Sequence, residues 1–237
     1  MTARPVLELQ AVSYASSGQR LLDNVTLSIQ RDERVAIVGE SGSGKSMLLR
    51  LAMGLSEPLS GNVRLFDEDI AACSDEARRR LLRMCGISFQ SGSLIRGLSV
   101  GDNLWLALGA PAAARSRLRR RLDRIGFEFG IDHLFGASVD LLSQGEARMV
   151  ELARAFVHDP QFVLLDGALD GMPAQAALLE RCLRRHTVLK PRALLLVTQD
   201  AALAFRTCER IYRLEEGRLA AQSVPELAPE GVFSGDS

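Results

Sequence analysis

The chain has 237 residues, of which 47% are hydrophobic and 24% charged, ordinary proportions for a globular protein with a sizeable core. Its 29 basic and 29 acidic side chains balance, which excludes a strong overall field that recruits nucleic acid or an anionic membrane. The N-terminus lacks a signal-peptide pattern, and the longest apolar run, residues 193–197, is far shorter than the roughly 20 residues of a membrane span. We therefore expect a cytosolic protein that binds no nucleic acid.

The N-terminal third alternates strand patterns with helix patterns. VLELQAVSY alternates apolar and polar residues and predicts an edge strand, and NVTLSIQ predicts a second strand. RVAIVG is typical of a strand buried on both faces, and it leads into a helix that ends near Gly54. NVRLFD and CGISFQ predict further strands, and SDEARRRLLRM predicts a helix capped by Ser74 or Asp75.

The middle of the chain has a different composition, because Ala, Leu and Arg dominate from about residue 91 to 142 and indicate a helical insertion. Buried-strand patterns return in QFVLLD and RALLLVTQD, separated by the helical PAQAALLERCLRRH, and RIYRLEEGRLAAQ predicts a hairpin about Gly217. Strands that alternate with helices predict an α/β fold with a mostly parallel sheet. We interpret the chain as one domain, with its core in residues 1–90 and 151–237 and the helical insertion at about 91–150.

One stretch, GESGSGKS, fits the phosphate-binding pattern G-x-x-x-x-G-K-[ST] between a predicted strand and a predicted helix. Glycines let consecutive N–H groups converge on a phosphate, and the helix adds its positive N-terminal end. Lys45 offers a charge to the β- and γ-phosphates, and the Ser46 hydroxyl offers a ligand to Mg²⁺. The sequence therefore predicts a nucleoside triphosphate site. Its residues are Gly39, Glu40, Ser41, Gly42, Ser43, Gly44, Lys45 and Ser46.

Later motifs indicate which kind of nucleotide-binding protein this is. LSQGE at residues 142–146 is followed by a helical LARA and then by an apolar strand that ends at Asp166. In this order the chain resembles the ATP-binding cassette (ABC) family, whose signature reads LSGGQ, and the resemblance runs from Tyr14 to Gly217. It implies a P-loop NTPase fold with a RecA-like core, an N-terminal antiparallel β region and a helical insertion.

The resemblance also implies roles for individual residues. Tyr14 matches the aromatic residue that stacks on adenine, and Gln90 matches the glutamine that senses the metal and the attacking water. Asp166 would hold Mg²⁺ through water, and Ser143 and Gly145 would bind the γ-phosphate of ATP held by a second chain. The implied catalytic residues are Lys45, Gln90, Asp166 and Gln199, the implied metal ligands are Ser46, Gln90 and Asp166, and residues 168–170 match the family's D-loop.

The resemblance further implies partners and a place in the cell. A second ATP-binding subunit would complete the site, and an integral membrane permease would hold the chain on the inner face of the cell membrane. Within the family, SFQSGSLIRGLSVGDNL looks most like the lipid-trafficking transporters of the Mla/Mce type, which implies transport of phospholipid or another hydrophobic substrate.

Three departures from the family pattern bear on hydrolysis. Gly167 stands where the family has a glutamate, in a shortened DGALD segment, and Gln199 stands where it has a histidine. Gln144 replaces the first signature glycine. Positioned general bases contribute about 10²–10⁴-fold, so we expect intact ATP binding with weak hydrolysis, unless a shifted carboxylate such as Asp170 substitutes. The alternative is an ATP-dependent clamp or regulatory subunit. Three other classes fit the sequence less well: a soluble ABC protein acting on ribosomes or DNA, a kinase and a GTPase.

Overall fold

A computed structural model describes residues 4–16, 18–90, 92–111, 114–167, 173–188 and 192–222. The strands are β1 (Leu7–Ser16), β2 (Gln19–Ile29), β3 (Arg34–Val38), β4 (Ser60–Leu65), β5 (Glu68–Asp69), β6 (Cys85–Ser88), β7 (Phe162–Asp166), β8 (Ala193–Thr198), β9 (Arg210–Glu215) and β10 (Arg218–Gln222). The α-helices are α1 (Lys45–Ala52), α2 (Asp75–Arg83), α3 (Val100–Leu108), α4 (Arg115–Glu128), α5 (Gln144–Phe156), α6 (Pro173–Leu183) and α7 (Ala201–Thr207). This architecture confirms the predicted α/β fold.

The N-terminal strands form an antiparallel sheet in the order β2-β1-β4-β5. The predicted edge strand is wrong, because β1 pairs with β2 on one side and with β4 on the other. Its alternation of apolar and polar residues reports burial of one face, where Leu7, Leu9 and Val12 are buried, and carries no information about the number of neighbouring strands.

A six-stranded sheet in the order β10-β9-β3-β8-β7-β6 forms the centre of the molecule. All neighbours in it are parallel except β10, which closes the predicted hairpin against β9. Strand β3 lies between β8 and β9, and residues 35–38 are buried, as its continuous apolar sequence predicts. The carboxyl ends of β3, β8, β7 and β6 consequently meet at one edge of the sheet, where ligands bind in open α/β folds.

Side chains alternate across the central sheet and fill two hydrophobic cores. Val35 and Ile37 of β3 face one core, shared with α1 and the antiparallel sheet, while Ala36 and Val38 face the other core, shared with α3 to α7. Helices therefore cover the second face and the antiparallel sheet with α1 covers the first. Helices α1 and α5 consequently lie on opposite faces of the central sheet.

The predicted helical insertion contains α3, α4 and short 3-10 turns at Asp132–Leu134 and Val139–Leu141. Helix α5 begins in this region and runs on through residue 150, the predicted boundary, to pack against β6. Helix α2 is capped by Ser74, whose hydroxyl accepts the N–H of Ala77. Within the described ranges, no helix has the length and apolar character needed to cross a membrane.

Candidate nucleotide-binding site

Four segments that the sequence singled out lie at the carboxyl edge of neighbouring strands. Gly39 follows β3, Gln199 follows β8, Asp166 ends β7, and Gln90 comes two residues after β6. The register joins them, because Val38 pairs with Thr198, Asp166 with Val197, and Ser88 with Leu165. The fold thus brings together the predicted phosphate loop and the three residues expected around the γ-phosphate and metal.

The phosphate loop (residues 39–46) curls around the side chain of its own lysine. Lys45 is buried, and its Nζ donates to the carbonyl oxygens of Gly39 at 2.8 Å and Glu40 at 2.5 Å and to the hydroxyl of Ser43 at 3.3 Å. Helix α1 starts at Lys45 after Gly44, which has φ +99°, a left-handed conformation that glycine adopts without cost. Ser46, at the second position of α1, is exposed.

Two glycines of this loop are required by close backbone neighbours. A Cβ on Gly39 would lie 2.6 Å from the carbonyl oxygen of Leu214 in β9, and one on Gly44 would lie 2.7 Å from the carbonyl oxygen of Leu21 in β2. A cleft of about 330 Å³ opens over residues 39–43 and is walled by β9 and Glu216. The cradle of N–H groups, the buried lysine and the exposed serine hydroxyl fit a nucleotide phosphate and Mg²⁺.

Tyr14 is the residue expected to stack on adenine. It is half-buried on β1 and pairs with Leu22 of β2. Leu22 in turn approaches the phosphate loop, since its Cδ2 atom lies 3.4 Å from the position of a Cβ on Gly44. The predicted aromatic residue is therefore one strand away from the start of α1.

The signature segment (residues 142–146) forms the N-terminus of α5, on the face of the sheet opposite to α1. Ser143 is exposed and caps the helix: its hydroxyl accepts the Glu146 N–H at 3.3 Å, while the Glu146 carboxylate accepts the Ser143 N–H at 2.8 Å. The hydroxyl and N–H of Ser143 hold the pKa of Glu146 below its ordinary value. A Cβ on Gly145 would lie 2.6 Å from the side-chain amide of Gln175 in α6, so a larger residue here would displace that side chain.

The end of β7 departs from a simple strand. Asp166 is buried, with 6% of its surface exposed. The next residue, Gly167, has φ +53°, and its N–H donates to the Val197 carbonyl at 2.8 Å. Glycine adopts this left-handed conformation at little cost, and it carries no carboxylate. The D-loop residues predicted at 168–170, including Asp170, lie outside the described residues.

The other predicted donors near the γ-phosphate are accessible. Gln199 and Gln90 are both exposed at the ends of their strands. Thr198, which precedes Gln199, accepts the Asp200 N–H on its hydroxyl at 3.0 Å, and Asp200 caps α7. These bonds fix the backbone on the carboxyl side of Gln199. Within the described segments, no group of three or more His, Cys, Asp or Glu could hold a metal by itself.

Sequence reasoning missed Arg148, a buried residue of α5 that contacts the site. Its guanidinium donates to the carbonyl oxygens of Asp166 at 2.7 Å, Gly167 at 3.0 Å and Phe89. It also pairs with Glu151 at 2.8 Å. The available signal was an arginine and a glutamate three residues apart, on a helix that also carries Gln144, Glu146 and Arg154 and therefore does not single this pair out.

Comparisons with known proteins agree with this geometry. The family model described as ABC transporter matches residues 22–170. The lipoprotein-releasing system ATP-binding protein LolD of Pseudomonas syringae pv. tomato is 36% identical over 84% of this chain and 88% of its own length. The lipopolysaccharide export system ATP-binding protein LptB of Escherichia coli is 30% identical over 92% of this chain and 90% of its own length.

A third relative serves another substrate class, and a solved structure shares the fold. The aliphatic sulfonates import ATP-binding protein SsuB 1 of Burkholderia cenocepacia is 38% identical over 95% of this chain and 66% of its own length. The dimeric structure of the bacterial ABC transporter cassette MJ0796 superposes with a TM-score of 0.84 at 25% identity, covering 92% of this chain and 98% of that one.

Proposed function

Because the chain belongs to the ABC transporter family, we propose that it binds ATP with Mg²⁺ at the phosphate loop and uses this binding to move a membrane-embedded partner. The supporting observation is the meeting of Lys45, Ser46, Asp166, Gln199 and Gln90 around the ends of neighbouring parallel strands. Lys45 would bind the β- and γ-phosphates, Ser46 would ligate the metal and Asp166 would hold it through water. Bound Mg²⁺ supplies charge neutralisation on those phosphates.

A second ATP-binding subunit would complete the site. The signature segment is at the exposed N-terminus of α5, and α5 lies on the face of the sheet opposite to α1. Ser143, Gly145 and the positive end of α5 are accordingly available to the γ-phosphate of ATP bound by another chain. The dimeric state of the similar MJ0796 cassette supports this arrangement.

The membrane partner would dock beside α3. The backbone of the segment before α3 is fixed by Asn103, which is fully buried and bonds both the N–H and the carbonyl of Ile95. In this segment and α3, Ile95 is exposed by 46% and Leu106 by 51%. Leu141 is exposed by 83%, and the two residues before it bond residues 98 and 97. Apolar side chains on a fixed backbone suit a permanent protein contact, which would hold the chain peripherally on the cytoplasmic face of the membrane.

The proposed substrate is a phospholipid or another molecule with a hydrocarbon portion. The resemblance of residues 88–104 to the Mla/Mce type supports this, and the relatives LolD and LptB are named for lipoprotein release and lipopolysaccharide export. The SsuB relative is named for aliphatic sulfonates, so the shared chemistry is the apolar chain.

Hydrolysis by this subunit would be slow. Gly167 supplies no carboxylate to polarise water, and Gln199 can donate a hydrogen bond but carries no charge. The loss of one charge-stabilising donor costs roughly 10²-fold or more in rate. These two residues favour the second candidate function, an ATP-dependent clamp or regulatory subunit whose closure depends on binding alone.

The test measures ATP binding and phosphate release by the purified protein with Mg²⁺. Lys45→Ala removes the phosphate contact, and Lys190→Ala, which removes the other lysine of the sequence, is the matched control. Lys45-dependent binding with Lys45-dependent release would establish a motor subunit. Lys45-dependent binding without release would establish the clamp. Equal binding by wild type and Lys45→Ala would overturn both candidates.

A further inference from the structure

The guanidinium of Arg148 occupies the gap where β6 and β7 part. The last paired residues of these strands are Ser88 and Leu165. Beyond them, Arg148 Nη1 donates to the carbonyl oxygen of Phe89 and to the Ser88 hydroxyl at 3.3 Å, and Nη2 donates to the carbonyls of Asp166 and Gly167. The side chain therefore takes the place of the next rung of the sheet, with one nitrogen bonded to each strand.

This arrangement depends on the forked shape of arginine. The residue is 4% exposed, and burying its charge costs several kcal/mol unless partners compensate. The Glu151 carboxylate at 2.8 Å and the carbonyl oxygens supply that compensation. A lysine ammonium is a compact point charge that cannot present two separated nitrogens to two strands. A buried ion pair such as Arg148–Glu151 is weak evidence for a stabilising role. The position of Arg148 next to Asp166 therefore calls for another explanation.

Helix α5 is bonded to the chain on both sides of Gln90. Arg148 contacts Ser88 and Phe89, which precede it. After it, the Ser93 N–H donates to Glu151 Oε1 at 3.0 Å, and the Ser93 carbonyl accepts from Arg154. The N-cap of the same helix is Ser143 of the signature segment, and α5 lies on the face of the sheet opposite to α1. One rigid helix thus connects the signature segment with Gln90 and Asp166.

We infer that Arg148 is a positioning residue that couples two nucleotide sites. ATP at the partner subunit's site sets the position of α5, and Arg148 transmits a shift of α5 to Asp166 and Gln90 of its own site. The inference rests on the proposed function and deepens it, since it names the residue that links the two nucleotide sites. When α5 shifts against a partner, the Arg148 guanidinium moves the carboxyl-terminal ends of β6 and β7 together. Metal binding in one site then depends on closure at the other.

The test uses the full chain in four forms: wild type, Arg148→Lys, Arg148→Met and the control Arg192→Lys. Arg192 is also 4% exposed and bonds Asp159 at 2.7 Å, but it precedes β8 at the opposite edge of the sheet. Two quantities are measured: metal-free affinity for a fluorescent ATP analogue, and the Mn²⁺ concentration that half-saturates the ATP complex, followed by electron paramagnetic resonance. Thermal unfolding confirms that each variant is folded.

We expect both Arg148 variants to bind the analogue within twofold of wild type while the half-saturating Mn²⁺ concentration rises at least fivefold. Arg192→Lys should match wild type in both quantities. An Arg148→Lys protein that matches Arg192→Lys in Mn²⁺ binding would overturn the inference and leave the proposed function standing. Nucleotide binding that is insensitive to Lys45→Ala would overturn the proposed function, and this inference with it.

A measurement on the wild type covers the case in which the Arg148 variants do not fold. Hydrogen exchange is followed with and without MgATP in peptides from β6, β7 and the N-terminal half of α5. We expect protection in the three peptides to change together as ATP is titrated. Protection that changes in β7 at ATP concentrations that leave α5 unaltered would overturn it.

Discussion

The backbone N–H of Gly167 donates to the carbonyl oxygen of Val197 across 2.8 Å while Gly167 itself has φ +53°. This bond belongs to the last pair of the β7–β8 ladder, Asp166 with Val197, and the chain turns at Gly167 into the left-handed region. Arg148 holds the carbonyl oxygen of the same glycine. Residue 167, where the family resemblance implies a glutamate, is thus held in a turned backbone path by two hydrogen bonds.

Replacing Gly167 by Glu should consequently fail to produce a fast ATPase. A side chain in the left-handed region costs roughly 1–2 kcal/mol, and the carboxylate would leave the chain in a direction that a strand does not give. We expect phosphate release less than tenfold above that of Gly167→Ala, which carries the same backbone cost without the carboxylate. An increase of 10² or more over Gly167→Ala would contradict this account of the backbone.

The contact of Gly39 with β9 predicts a sensitive position in the phosphate loop. In Gly39→Ala the new Cβ would approach the Leu214 carbonyl oxygen, a backbone atom, to 2.6 Å, so the loop or β9 must move. We expect at least a tenfold loss of affinity for the fluorescent ATP analogue together with a lower unfolding temperature. Gly136→Ala is the control, because nothing lies within 4 Å of its Cβ position. Equal affinities in the two variants would show that the close approach is unimportant.

The cysteines should differ sharply in reactivity. Burial raises the pKa of the Cys85, Cys182 and Cys208 thiols to about 12, so at pH 8 only about one molecule in 10⁴ carries the thiolate at each. Cys73 is half-buried. Of the four cysteines, we expect only Cys73 to react quickly with a thiol reagent in the native protein, and all four to react in denaturant. Cys73→Ser should abolish the fast phase, and a fast phase that persists would point to local opening elsewhere.

The antiparallel sheet contains a carboxylate whose contribution to stability depends on pH. The Asn62 amide, at 2.6 Å, and the N–H groups of Ala71 and Ala72 hold the pKa of Asp69 below its ordinary value of 3.8. A lowered folded-state pKa stabilises the fold above the unfolded value, and this stabilisation is lost as pH falls through the folded value. Asn62→Ala should therefore reduce the free energy of unfolding more at pH 7 than at pH 3, as urea titrations measure.

The double variant separates this effect from packing. In an Asp69→Asn background no carboxylate titrates at this position, so the cost of Asn62→Ala should be the same at both pH values. A pH-dependent cost that persists in that background would assign the effect to another group.

The sequence by itself determined the α/β fold, the phosphate loop and the existence of the buried strands next to Asp166 and Gln199. These features depend on local patterns: β-branched runs for buried strands, glycines at fixed spacing, and a lysine followed by serine at a helix start. The family resemblance added Tyr14, Gln90 and the signature segment. Local sequence is sufficient here because each feature is set by the backbone preferences of adjacent residues.

Only the tertiary structure decided which strands are neighbours and what lies between them. It placed β1 inside its sheet, showed that Gly167 turns the chain into the left-handed region, and brought Arg148 against residues 59 and 18 positions away, Phe89 and Asp166. The alternation of apolar and polar residues in a strand indicates one buried face, whichever strands pair with its edges. A charged residue in a helix is predicted to be exposed unless its partners are known. Both facts belong to contacts between distant segments, which sequence periodicity does not encode.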